Sequence, residues 1–521
     1  MELVRENILL NKIVGEGRSQ ILLEGDIIVP DVRPDIDSVL RATARVAVSK
    51  ANASMGRVSF AGKMNVDVLY LAKGNDETTV HNISAVAHID DFLNIDGIQA
   101  DNWVNLVGEL ANIDYRVVND RKLNYRAVVD IKAMAFENGE VTAIQSVEGL
   151  SVAQQKSAFF SVNNVIAKQM DSFTIRDEIA LPSNKPAVSE LLQANVSIAN
   201  KQVTIASGRV DVSGDLLVAP LYKGNDETSV VEFEEFVLPF NGSLDIAQAD
   251  ERAFVDASLM VADSLVEVSP NETGEMRIFA LEAIIAADVK ISENRDIEIL
   301  EDAYCIEQNM DLQLQSLDYK RLVCRNQNQF QVKEVVAMDA PEALQVLQVN
   351  GTARIEDVKV VEDKVVVEGL LEADVLYIAQ SDTDPLYNYT AHIPIRQVIE
   401  AKGAKMGMEA EISCNIDNIS FNMVSGREVD LRITLGLDVA VQESATKDFV
   451  HDIEFSPFDL EALDSLPSMT ILVAEKGDSL WSVAKKYNAD LEELASINDI
   501  QTTDDLVIGQ KLLVVKKVAQ E

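Results

Sequence analysis

The chain of 521 residues sets 86 acidic against 45 basic side chains, a formal charge of −41 with a pI near 4.4. A field of that sign repels phosphate backbones and anionic lipid surfaces, which argues against nucleic acid or a bilayer as partner and favours solubility and basic partners. Hydrophobic residues make up 47% of a chain too long for one core, so three or four packed domains are expected.

Met1 to Glu6 contain no basic segment followed by an apolar stretch, and no run of eighteen apolar residues occurs further on. Neither a signal peptide nor a membrane-spanning helix is therefore expected, and the protein is expected in the cytoplasm. Cys305, Cys324 and Cys414 are scattered, with no CxxC pair. Reduced thiols, no disulfide framework and no zinc site follow from that.

Further along, the chain repeats itself. Pro34, Ile36, Val39 and Leu40 match Pro186, Val188, Leu191 and Leu192, then Pro341, Ala343, Val346 and Leu347. A proline followed by apolar residues two, five and six places on predicts a short amphipathic helix in each copy. Phe173 to Asp177 and Phe330 to Glu334 lie before two of them and read as strands. Val58 to Gly62, Val203 to Ser207 and Lys364 to Gly369 alternate as half-buried strands. Asp67-Val68-Leu69-Tyr70 recurs as Asp374-Val375-Leu376-Tyr377, with Gly62 and Gly369 at the same offset of 307. Lys73 to Thr78 recurs unchanged as Lys223 to Thr228, an offset of 150, and its Gly-Asn-Asp core is turn chemistry. Copies end in strand pairs: 113–118 with 125–131 about Asn119-Asp120, and 416–423 with 429–435 about Ser425-Gly426.

The expected organisation is mainly β: three tandem β-rich repeats at 1–160, 161–318 and 319–442. Each reads as a sandwich or barrel-like sheet pair with a short helix. An acidic, Pro-containing connector with Phe455 and Phe458 is expected over 443–468, and a βααβ module over 469–516. In that module Ile471-Leu472-Val473 is a strand. Lys476-Gly477-Asp478-Ser479-Leu480-Trp481 turns into a helix capped by Asp478 or Ser479, with Leu480, Val483, Ala484 and Tyr487 on one face. Leu491, Leu494 and Ile497 mark a second helix ending near Asn498. Asp505 to Val515 supplies a turn and closing strand.

No catalytic constellation is legible. His81, His88, His392 and His451 lack metal-ligand spacing, and no nucleotide-binding, nucleophile-elbow or zincin motif occurs. No cofactor, no metal and no enzymatic activity are expected.

The run V-x-x-x-G-D-S-L-W-x-V-A-x-x-Y, then L-x-x-x-x-x-N, then I-G-Q-K-L-x-V resembles a LysM domain along its full length. That resemblance implies a shallow groove for N-acetylglucosamine chains, formed here by Gly477, Asp478, Ser479 and Leu480 facing Ile500, Gln501, Leu506 and Ile508. Trp481 is expected in the core. Three β-rich repeats followed by one LysM resemble the SPOCS-domain spore-coat morphogenesis proteins. The likeness implies a non-catalytic scaffold in the mother-cell cytoplasm at the forespore surface. It further implies a LysM that contacts the coat's basement-layer ATPase or other coat proteins, and repeats that self-associate or recruit coat. Binding of peptidoglycan or another N-acetylglucosamine glycan stands as the alternative function, and an enzyme with an unrecognised site as a remote one.

Overall fold

The structure, a computed structural model, describes residues 2–73, 78–150, 152–225, 231–339, 341–381, 386–457, 469–502 and 506–515. Three repeats share one plan. The first opens with the long strand β1 (Glu2–Ile28) and continues with the meander β2 (Ser38–Ser54), β3 (Arg57–Lys73) and β4 (Thr78–Asn94). It closes with β5 (Trp103–Asn119) and a long return strand, β6 (Lys122–Glu148). In the second repeat the same course runs through β7 (Ala153–Ala180), β8 (Val188–Ala206), β9 (Arg209–Gly224) and the two-residue β10 (Glu232–Phe233). It ends with β11 (Phe236–Asp245), β12 (Phe254–Pro270) and β13 (Met276–Cys305). The third consists of β14 (Asn309–Ala337), β15 (Ala343–Val361), β16 (Lys364–Ala379), β17 (Leu386–Glu400), β18 (Glu409–Ser425) and β19 (Glu428–Ser456).

In each repeat the two long strands and the strand before the return form one antiparallel sheet, and the meander forms another. Alternation along β6 turns Leu123, Tyr125, Ala127, Val129, Ile131, Ala133 and Ala135 inward, against Val58, Phe60, Met64, Val66, Val68 and Tyr70 of β3. Period-two patterning thus builds a sandwich between two sheets. Asn119 pairs with Lys122 and Ser425 with Glu428, so the strand pairs expected at the ends of the repeats are two-residue hairpins.

The expected proline-started helices are not formed. Pro34, Pro186 and Pro341 do hold equivalent places, but each lies just before β2, β8 or β15, in a stretch that enters a strand. The cause is a β-bulge. Register shifts between Val39 and Arg41, Leu191 and Gln193, and Val346 and Gln348 make Leu40, Leu192 and Leu347 extra residues. A bulge brings two consecutive side chains to buried positions and so mimics helical spacing. Val39, Leu191 and Val346 pack into their own repeats. The bulged leucines instead enter a core that all three repeats share, with Leu69, Leu71, Leu221, Leu376 and Leu386.

A second bulge explains the recurring glycines. A Cβ on Gly62 would lie 2.5 Å from the Ala47 carbonyl oxygen, and one on Gly369 2.3 Å from that of Arg354. No side chain fits there.

Beyond the sandwiches the long strands continue as three two-stranded arms that pack on one another. Ile8, Ala143, Val162, Ile297, Ile299, Leu317 and Phe449 form one layer of that bundle. Ile144, Val147, Leu300, Ala303, Val450 and Ile453 form the next. β6 ends at Glu148 and β7 begins at Ala153, and β13 ends at Cys305 and β14 begins at Asn309, so the boundaries expected at 160 and 318 fall inside β7 and β14. Residues 443–456, expected as connector, are the outer half of β19, paired from Arg321↔Glu443 to Asn309↔Ser456, and Phe455 packs among the arms. Acidic residues on the outward face of an arm strand had the look of a linker. Phe458, the first Gly-Asn-Asp turn and Asp226 of the second lie outside the described residues, while Gly224 ends β9 and the Asn225 N–H donates to the Ala187 carbonyl at 2.9 Å.

Candidate binding groove of the C-terminal module

The module is βααβ, with β20 (Met469–Val473) paired to β21 (Lys511–Val515) and helices α1 (Leu480–Lys486) and α2 (Leu491–Ile497) between them. Gly477, at φ +98°, makes the turn into α1. Asp478 Oδ2 accepts from the Glu475 N–H at 2.9 Å. Ser479 is the N-cap: its Oγ accepts from the Ser482 N–H at 3.1 Å, and Ser482 Oγ in turn accepts from the Ser479 N–H at 3.0 Å. Asp490 caps α2 through the Glu492 and Glu493 N–H groups, both at 3.0 Å.

Two loops are laid side by side by backbone bonds. The Gly509 N–H donates to the Ala474 carbonyl at 2.8 Å, and the Ala474 N–H to Gln510 at 2.8 Å. Gln510 Oε1 also accepts from the Val507 N–H at 2.9 Å. The turn 475–479 therefore runs beside 506–510. Gly477, Ser479, Gln501 and Ile508 are exposed, while Asp478, Ile500 and Leu506 are half-buried. Leu480 differs from expectation: at 2% exposure it belongs to the module's core and not to a groove surface. Val507, passed over in the sequence, stands 69% exposed beside Ile508, also 69%. Asn498, legible only as a helix end, ties the module together. Its Nδ2 donates to the Leu494 and Leu513 carbonyls at 2.8 and 2.9 Å, and its Oδ1 accepts from the Leu513 N–H at 2.6 Å.

The module is seated on the arm of repeat 2. Trp481, expected wholly inside, is half-buried at this junction. It meets Tyr304 edge-on at 5.2 Å between ring centroids, and its indole N–H donates to Asp302 Oδ2 at 2.7 Å. Lys485, one turn along α1, pairs with the other oxygen of Asp302. The Tyr304 hydroxyl donates to the Ala489 carbonyl at 2.8 Å, and Gln154 Nε2 to Asp490 Oδ2 at 3.3 Å. Burial, with Asp490 and Asp302 close by, pushes the Tyr304 phenol upward and keeps it a donor. Docking thus uses the outer face of α1 and the turn after it, and leaves Gly477, Ser479, Val507 and Ile508 open to solvent.

Elsewhere, two clusters of charged groups pair with one another between repeats. The cleft of about 300 Å³ between repeats 2 and 3 holds Lys201, which donates to the Ala257 carbonyl at 2.8 Å. It also holds Arg325, paired with Asp438 at 2.6 Å and Asp256 at 2.7 Å. His81 lies between repeats 1 and 2, among Arg33, Glu190 and Lys223, whereas His392 is exposed beside Glu372. Among the described residues no group of three His, Cys, Asp or Glu is placed to hold a metal, and no helix is long and apolar enough to cross a membrane.

Three sandwiches around a shared core, with a small βααβ head, define a multi-repeat β protein. Comparison with protein families makes the class specific. The model described as "SipL, SPOCS domain" matches residues 35–118, 187–269 and 342–424, and the LysM model matches 473–515. The chain is a SPOCS-domain protein of the SipL type, with three SPOCS domains and a C-terminal LysM domain. Each SPOCS match begins immediately after Pro34, Pro186 or Pro341 and ends close to the end of β5, β12 or β18. The long arm strands lie outside it. SPOCS and LysM are binding domains rather than known catalytic ones, and together they fit a sporulation-related protein. No curated protein and no solved structure matches the chain.

Proposed function

We propose that the protein is a non-catalytic scaffold of endospore coat assembly. Its LysM module tethers a coat basement-layer protein, an ATPase by family resemblance, to the forespore surface, and its repeats serve as assembly surfaces. The observation that carries this reading is the open rim of the module. Val507 and Ile508 project an apolar pair beside Gly477 and Ser479 on a head held in a fixed seat on the arms. Apolar anchors with a polar rim suit a protein partner. The acidic chain, at −41 overall, favours a basic or apolar surface over wall glycan carrying carboxylates. Away from the ends where β4 meets β8 and β17 meets β2, the edges of β4 and β17 are paired in register on one side only and offer strand backbone for self-association or coat recruitment.

Binding of peptidoglycan or another N-acetylglucosamine glycan is the second reading, favoured by the LysM match itself and by the exposed small residues Gly477 and Ser479. One experiment separates the two. The full chain and its Ile508→Arg variant, each checked by circular dichroism, are tested against a sporulating lysate and against purified peptidoglycan. Capture of a basic or nucleotide-hydrolysing coat protein by the parent chain, lost in the variant, supports the scaffold. Sedimentation with peptidoglycan and no protein capture overturns it.

A further inference from the structure

The shared core is nearly blind to which repeat supplies each part. Leu40, Leu192 and Leu347 enter it from matching bulges, and the matching tyrosines Tyr70, Tyr222 and Tyr377 are fully buried beside it. A repeat from a second copy of the chain would bury the same surface there. Such a ring is open to exchange between chains unless something distinguishes the repeats.

The polar seam next to the leucines does distinguish them. It is built by β2, β8 and β15 immediately after their bulges. Arg41 takes the place held by Gln193 and Gln348 in the other two repeats, and its Nη2 donates to both side-chain carbonyls, at 2.8 and 3.1 Å. Arg41 is 5% exposed and Gln348 1%. Two residues on, Thr43 aligns with Asn195 and Asn350. Asn195 Nδ2 donates to Asn350 Oδ1 at 3.3 Å, and Gln193 Nε2 to Thr43 Oγ1 at 3.4 Å. Arg45 then donates to Asn195 Oδ1 at 2.6 Å and to the Val196 carbonyl at 3.3 Å. Both cations come from repeat 1. Their acceptors come from repeats 2 and 3. The counter-charges near Arg41 are Asp67 of repeat 1 and Asp374 of repeat 3, and repeat 2 has Ala219 at the matching register.

We propose that Arg41, backed by Arg45, is the specificity residue that closes the ring from the three unlike repeats of one chain and keeps the repeats of a second copy out. Two copies of repeat 1 in one ring would bury two guanidinium groups against each other with too few acceptors. A ring without repeat 1 would leave the Gln193 and Gln348 carbonyls without their donor. Only the combination 1-2-3 is matched. Stability alone is a poor reason for this arginine, because its Nη1 is buried without a partner and burial lowers its affinity for its own proton.

The test uses the full chain carrying two different tags. Mixed tags are unfolded together, refolded, and scored for double-tagged particles by sequential capture and light scattering. Chains folded separately and then mixed measure any association through outer surfaces, which is subtracted. The wild type is expected to refold with little tag exchange, and the Arg41→Met/Arg45→Met chain with about ten-fold more, rising with concentration. Arg41→Lys, which keeps the charge, should stay near wild type. If the double variant fails to refold, Arg41→Gln is scored in the same way. Tag exchange equal to wild type in the charge-removed chain, whatever its melting temperature, overturns the proposal. So does a wild type that exchanges as readily as the variant.

Discussion

Replacing Asp302 by alanine should release the LysM head from its seat without unfolding it. Asp302 holds the Trp481 indole N–H at 2.7 Å and also pairs with Lys485. A hydrogen bond to a charged acceptor is worth about 1.5–3 kcal/mol, and a partly exposed ion pair at most about 1 kcal/mol. The loss is therefore about 2–4 kcal/mol, which lowers the docked-to-undocked ratio roughly 30- to 900-fold. Tyr304→Ala should do at least as much, since it removes the edge-on contact with Trp481 and the bond to the Ala489 carbonyl. Hydrogen exchange reads the effect directly. Amides at 302–306 and around Trp481 to Asp490 should exchange faster, while those tied by Asn498 in the module's interior stay protected. Small-angle scattering should show a larger radius of gyration. Unchanged exchange at Tyr304 and an unchanged radius in both variants would refute the claim that these contacts hold the head.

Other outcomes follow from the same geometry. Gly369→Ala and Gly62→Ala should each destabilise their sandwich by about 1–3 kcal/mol in thermal melts, because the new Cβ meets a carbonyl oxygen at 2.3 or 2.5 Å. Gly214→Ala, where the nearest carbonyl oxygen lies at 3.0 Å, should cost less. Asn498→Ala should melt the LysM module selectively, seen as lost helical circular dichroism, since it strips partners from both the N–H and the carbonyl of Leu513. Burial, reinforced by Lys223 and Arg33, pushes the His81 imidazole down to about 4. The folded state therefore resists a proton that the unfolded chain accepts near 6.5. The contribution of His81 is present in full above about pH 6.5 and is lost as pH falls through about 4. His81→Gln should flatten that part of the melting curve's pH dependence, and an unaltered slope would place the titrating group elsewhere.

The sequence by itself determined the three repeats, the β class and the LysM module. These are local signals: period-two alternation, glycine turns, helix caps and a motif dense enough to be read in one window. The hairpin between β5 and β6 and that between β18 and β19 were legible for the same reason. Other features were decided only by the tertiary structure. Val39 and Leu40 look helical because a bulge sends one into its own sandwich and the other into the shared core, and one strand's sequence cannot reveal the second destination. Residues 443–456 look like a connector because their buried face is completed by the arms of the other two repeats. Trp481 has the composition of a core residue, yet its polar edge is satisfied by Asp302, 179 positions away. Arg41 stands in an otherwise ordinary strand, and its meaning depends on Gln193 and Gln348 arriving from separate repeats. Patterning specifies which face of an element is buried. What buries it is settled only when distant elements meet, because an apolar face gains as much from one well-shaped neighbour as from another.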